Sequence, residues 1–192
     1  MIRWTAPIAF LAAMFITPTA TATLVIDMDL PALTSEATHV VHADVLSTRT
    51  VDANGQFTTE VQLAVRDMLK RTSGLANGAK LTIELPGGIV GDLAQMVPGA
   101  PQLQEGDEVV LFLWQRNAET RPRILGLAQG AWKVIRTLHN AEARRDRRGI
   151  GLVNPTTRAI QERRPPSELD RIDLHVLLHR IRTHASKGDV PR

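Results

Sequence analysis

Thr59-Glu60-Val61-Gln62-Leu63-Ala64-Val65-Arg66-Asp67-Met68-Leu69 is the stretch that decides the fold. Val61, Leu63 and Val65 fall at every second position, with Glu60, Gln62 and Arg66 turned the other way. Successive side chains leave a strand on opposite faces, so this alternation predicts a strand with one face buried. Just before it, Asp52-Ala53-Asn54-Gly55 is a turn signal, because Asn-Gly supplies the positive φ angles of a tight hairpin. The partner strand is predicted over residues 39–48. Val41, Ala43 and Val45 lie on one side of it, and Val40, His42 and Asp44 on the other.

Further toward the N-terminus, residues 27–38 read as a short helix. Asp29 is placed to cap it, Pro31 sits in its first turn, and Leu30, Leu33 and Ala37 share a face. On the C-terminal side, Leu81, Ile83 and Leu85 alternate as a third strand, which Pro86-Gly87-Gly88 ends. Residues 89–106 hold Gly91, Pro98, Gly99, Pro101 and Gly106, and read as a long loop. Loops of that length are often functional. Gly87, Gly88, Gly91, Asp92, Pro98, Gly99 and Pro101 are therefore the candidate partner-binding residues. Val109-Val110-Leu111-Phe112-Leu113-Trp114 is apolar on both sides, as expected for a strand covered on both faces.

Two more strands are predicted at 124–128 and 132–135, on either side of Gln129-Gly130. Residues 137–166 read as polar, basic and mostly irregular, with one strand over 150–153. Ser167 is placed to cap a final helix whose stripe is Leu169, Ile172, Val176, Leu177 and Ile181. The expected fold is mainly β: a small OB-like barrel of about five to six strands, closed to manage its sheet edges. A short N-terminal helix and a C-terminal amphipathic helix complete it.

The chain of 192 residues carries 23 Lys and Arg, 20 Asp and Glu, six His, no Cys and no Tyr. The absence of cysteine excludes disulfides, Cys-based zinc sites, iron–sulfur clusters and thiol nucleophiles. Met1-Ile2-Arg3, the apolar run of residues 7–16 and the Ala20-Thr21-Ala22 pattern read as a signal peptide over 1–22. The expectation is an exported chain, periplasmic or extracellular, with no stable membrane insertion after cleavage. The expected organisation is a barrel domain over 23–136 and a basic extension over 137–192, ending in the amphipathic helix packed on the barrel.

Charge is divided unevenly. Residues 23–132 hold 8 basic and 13 acidic residues, whereas 133–192 hold 14 basic and 7 acidic. Arg144-Arg145-Asp146-Arg147-Arg148 is the densest cluster. Such a run can meet an acidic partner or an anionic surface, or simply balance the acidic half. Nucleic acid is not the expected partner. Barrels that bind it stack bases on aromatic rings, and beyond residue 22 only Phe57, Phe112, Trp114 and Trp132 are aromatic.

His175 and His179 stand four apart on the last helix, a spacing that can seed a zinc site. The intervening Val176-Leu177-Leu178 offers no acid in the metalloprotease pattern, which favours a plain helix flank. Gly87-Gly88-Ile89-Val90-Gly91 lacks the Gly-Lys-Ser/Thr ending of a phosphate loop, and no Gly-x-Ser-x-Gly elbow is present. No catalytic residue, metal or cofactor is assigned.

Glu36-Ala37-Thr38-His39-Val40-Val41, Leu85-Pro86-Gly87-Gly88, Val97-Pro98-Gly99-Ala100-Pro101, Gly106-Asp107-Glu108-Val109-Val110-Leu111-Phe112-Leu113 and Gly126-Leu127-Ala128-Gln129-Gly130 together carry a resemblance. This part of the chain, residues 36–133, resembles a group of exported bacterial proteins of unassigned function. Some of these are associated with secreted matrixin-type metalloproteases. The strand order and the late Gly-Asp-Glu-hydrophobic strand are also similar to the netrin-like OB barrel, a fold that includes the tissue inhibitors of metalloproteinases. The resemblance implies a non-enzymatic protein that binds a co-exported protein, with a metalloprotease as the partner class. The sequence departs from the inhibitors at their working end. Theirs begins with a disulfide-tied Cys that chelates the target's zinc; here the expected start is Thr23-Leu24-Val25. Thr23 and Leu24 remain a second candidate contact without that tether. The alternatives are an enzyme or enzyme accessory with a site elsewhere, or a structural envelope protein.

Overall fold

Asn54 and Gly55, at φ 57° and 82°, close the longest hairpin of the protein. The computed structural model describes residues 23–71, 78–160 and 170–188. The expected signal peptide, and Ser167 and Leu169 of the expected C-terminal helix, lie outside the described residues. In chain order the first elements are strand β1 (Thr23–Ile26), helix α1 (Leu30–Glu36) and strands β2 (His39–Ala53), β3 (Gln56–Arg71) and β4 (Lys80–Pro86). Then come β5 (Gly88–Val90), β6 (Leu93–Gln95), β7 (Glu108–Trp114), β8 (Arg123–Ile124) and β9 (Ala131–Arg136). Strands β10 (Ala141–Arg144), β11 (Ile150–Val153) and β12 (Arg171–Asp173) and helix α2 (Leu174–Gly188) end the chain.

Five strands close into a small barrel in the order β7-β2-β3-β4-β8, with β8 returning to β7. The alternation quoted above fills it: Val61, Leu63 and Val65 meet Val41, Ala43 and Val45 of β2 and Ile83 of β4. Strand β7 serves two cores at once. Val109, Leu111 and Leu113 point into the barrel, while Val110 and Phe112 point outward. There they join Val40, Trp132, Val134 and Ala143 beneath Leu33 of α1 and Leu177 and Ile181 of α2. Both faces of β7 are covered, as its unbroken apolar run predicts. Register shifts at Val40/Val41, His42/Ala43 and Val45/Ser47 break the ladder of β2. Bulges of this kind increase strand twist, which a small barrel needs to close.

Asp29 caps α1 as predicted, its Oδ1 accepting the Ala32 N–H at 2.8 Å. Three expectations are corrected. The strand expected over 124–128 stops at Ile124. Gly126 and Leu127, at φ 65° and 56°, then turn the chain into a short 3-10 turn over Leu127–Gly130. The segment 137–166 is less irregular than expected, because Ala143 of β10 pairs with Val134 and with Ile172, extending the sheet beyond β9. The last helix begins later than its expected stripe. Pairing with β10 keeps 171–173 extended, Asp173 Oδ1 accepts the Val176 N–H at 3.1 Å, and the buried stripe is Leu174, Leu177 and Ile181. Val176 faces solvent. No described helix is long and apolar enough to cross a membrane.

Candidate binding surface

The structure divides the sequence-predicted contact residues among three places. Gly87 and Gly88 form the root of a projecting hairpin. Gly88, at φ 143°, leaves no room for a side chain: a Cβ there would run into the hydroxyls of Thr50 and Thr59. Those hydroxyls are 3.0 Å apart, and Thr59 donates to the Gly87 carbonyl at 2.7 Å. The Phe57 N–H donates to Gln95 Oε1 at 2.6 Å, and the Gly87 N–H to the Phe57 carbonyl at 2.9 Å. The expected long loop therefore contains regular structure, the β5–β6 hairpin, pinned at its root to the β2–β3 arm.

Gly91 and Asp92 form the exposed tip of that hairpin. On it and just beyond it, Ile89 is 69%, Leu93 68% and Met96 83% exposed, and Val90 is partly exposed. A two-stranded hairpin is marginal by itself. Here the root contacts hold it in place while its apolar side chains stay in solvent.

Pro98, Gly99 and Pro101 lie lower, in the wall of an open cleft of about 820 Å³. Gly99 is pressed against Ile150, whose side chain occupies the space a Cβ would need, and the Gly99 carbonyl accepts the Ala128 N–H at 3.0 Å. Ile150 in turn pairs with Thr23 in the parallel β1–β11 ladder. The second candidate segment, Thr23 and Leu24, thus sits one strand away from Gly99, with Leu24 exposed. Met28 N–H donates to Gln129 Oε1 and Gln129 Nε2 donates to the Ile26 carbonyl, both at 2.9 Å, fixing the end of β1.

The cleft is also lined by Trp132, Lys133 and Ile135 of β9 and by residues 144–146 and 148–149. The basic run is largely committed to carboxylates within the chain. Arg145 and Arg147 turn inward to Asp170, at 3.0 and 3.2 Å. Arg144 holds Glu142 through two bonds of 3.0 Å, and Arg148 Nε holds Asp146 at 2.9 Å. Arg145 also lies 4.6 Å above the ring of Trp132, a buried cation–π contact. Burial pushes the Asp170 carboxyl up, but Arg147 and Arg145 outweigh it and hold it below its ordinary value.

One buried polar cluster has no counterpart among the sequence-predicted sites. Glu108 accepts Arg136 Nε and Nη2, each at 2.6 Å, and lies 2.7 Å from His42 Nε2. Burial raises the Glu108 carboxyl; the bonds from Arg136 and His42 overcome that and lower it. Its neighbour Asp107 accepts the Gln104 N–H at 2.9 Å and pairs with Lys133 at 2.6 Å. The signal was present in Gly106-Asp107-Glu108: two acids directly before an apolar strand must find cations or amides when that strand is buried.

His175 and His179 lie on the exposed flank of α2. Among the described residues no group of three or more His, Asp or Glu side chains is placed to hold a metal ion. No protein-family model matches the chain, and no curated protein matches it.

Proposed function

We propose that this chain is an exported, non-enzymatic binding protein that docks a co-exported protein through the β5–β6 hairpin. The metalloprotease class implied by the sequence resemblance is the first partner to test. One observation carries this proposal: Ile89 and Leu93 on the hairpin, and Met96 just after it, are held in solvent by a root fixed through Thr50, Thr59, Phe57 and Gln95. Exposed apolar side chains on an ordered projection, with Ile89 on one face of the hairpin and Leu93 beside Val90 on the other, suit contact with a partner. Such a surface loses little conformational freedom on docking, because its backbone is already ordered. The test is affinity capture from the exported fraction of the source organism, with the captured protein identified and the complex reconstituted from purified components. A one-to-one complex that forms with the parent protein, and fails to form when Ile89, Leu93 and Met96 are all changed to Ser, supports the proposal. A complex indifferent to those changes rejects the hairpin as the contact.

A further inference from the structure

Strand register places three cations side by side. Lys133 of β9 stands opposite Arg144 of β10, and Arg144 stands opposite Arg171 of β12. Adjacent strands lie about 5 Å apart, and like charges directly opposite each other destabilise a sheet. Among the described residues, two carboxylates serve this row. Asp107 lies 2.6 Å from Lys133, and Glu142 is shared by Arg144 at 3.0 Å and Arg171 at 3.9 Å. All three side chains remain substantially exposed, and all three line the 820 Å³ cleft.

The rest of the cleft is of a different kind. Ile135 lies in the same wall as the cations, with Pro98, Pro101 and Leu103 also lining the cleft. The two further carboxylates of the lining are already engaged, Asp146 by Arg148 and Asp170 by Arg145 and Arg147. Among the described residues, the cleft therefore offers an apolar surface beside a row of cations with one positive charge in excess. Its volume falls within the roughly 300–1,000 Å³ typical of small-molecule sites.

We infer that this cleft binds a small organic anion, its charged head on the Lys133–Arg144–Arg171 row and its apolar body against Ile135, Leu103, Pro98 and Pro101. Guanidinium groups present paired donors that match a planar or tetrahedral oxyanion, and the added negative charge relieves the repulsion along the row. The inference stands apart from the hairpin proposal, since it concerns a different set of side chains and a different kind of ligand.

The experiment is a fluorescence titration of the purified protein with 8-anilinonaphthalene-1-sulfonate, an apolar body bearing one anion. Uncharged N-phenyl-1-naphthylamine and inorganic phosphate are the comparators. Saturable one-site binding of the sulfonate is expected, stronger than that of either comparator. Changing Arg144→Gln and Arg171→Gln together should weaken it by about tenfold or more, the effect of losing charge-assisted hydrogen bonds. Restoring charge with Arg144→Lys and Arg171→Lys should recover most of the affinity. Should the Gln pair fail to fold, Lys133→Gln, on an exposed side chain, carries the test, with a loss of about threefold expected. Equal affinity in the parent and the charge-removed variants overturns the inference, as does the absence of saturable sulfonate binding. Tighter binding of the uncharged comparator also overturns it, leaving an apolar cleft without anion selectivity.

Discussion

Gln129, with no exposed surface, uses both ends of its amide on the N-terminal segment: it accepts from the backbone of Met28 and donates to the backbone of Ile26. The two peptide groups it satisfies have the parallel β1–β11 ladder as their continuation, since Ile26 pairs with Val153. A single side chain from the turn after β8 thereby positions the start of the described chain.

Replacing Gln129 by Ala leaves two backbone groups without that partner and opens a void in their place. A loss of about 2–4 kcal/mol is expected from unsatisfied polar groups plus the cavity. Denaturant titration measures it, and backbone amide exchange should rise first at residues 26–28. A change within experimental error would mean that water replaces the amide without penalty.

Gly88 and Gly91 both sit at positive φ, yet they predict different outcomes. Gly91 at φ 57° has open space around it, so Gly91→Ala should cost about 1 kcal/mol, the backbone term alone. Gly88→Ala drives a methyl into Thr50 and Thr59 and should dislodge the hairpin root, costing more than about 2 kcal/mol. Comparing the two thermal midpoints separates steric from conformational cost. Equal shifts would show that the root is not closely packed.

Acid should weaken the fold through two carboxylates. Burial pushes both Glu108 and Asp170 up, and their cation partners more than reverse this, so each sits below its ordinary value in the folded state. A lowered carboxylate contributes stability fully above its unfolded value, near about 4. That contribution is lost as pH falls through the folded value. The contribution of these two carboxylates should therefore be steady from neutral pH down to about 5 and fall below about 4. Glu108→Gln should make the acid limb shallower. An unchanged acid limb would show that His42 and Arg136 do not favour the charged form.

The hairpin variants bear on contact rather than stability. Ile89→Ser, Leu93→Ser and Met96→Ser alter exposed side chains, so each should change stability by less than about 0.5 kcal/mol. Partner capture should nevertheless be lost when all three are combined. Deleting the whole loop is a poorer test, because Gln95 and Gly99 are tied to Phe57 and Ala128 and their removal disturbs the barrel itself.

Much of the barrel is written locally. Period-two alternation in β3 and β4 and the Asn54-Gly55 turn are properties of neighbouring residues, and these elements form where the sequence predicts them. The misplaced elements depend on distant partners. Residues 141–144 and 171–173 are extended because they find each other across the sheet, a pairing that no short window contains. The start of α2 moved for the same reason; its buried stripe keeps the expected Leu177 and Ile181 and adds Leu174, while Val176 is exposed. Among the candidate contact residues, proximity to glycine and proline marked the segment that carries the projecting β5–β6 hairpin. It did not distinguish Gly88, which is packed, from the neighbouring Ile89, which is exposed. The Lys133–Arg144–Arg171 row was invisible, since its members are neighbours through register alone.

Strand β8 is two residues long, and it joins the barrel through Leu113↔Ile124 and Trp114↔Arg123 on one side and Glu84↔Arg123 on the other. Exposed ion pairs brace that seam from outside, Arg121 with Glu60 and Arg123 with Glu84, while Ile124 packs against the barrel core. Strand β9 occupies the other half of the same edge of β7, from Glu108 to Leu111, and does not depend on β8. The barrel is in effect a zip fastened by its last tooth. High salt should loosen the outer clasp of that tooth, leaving Ile124 and two short ladders to hold β4 and β8 together, while the helix-covered layer is untouched.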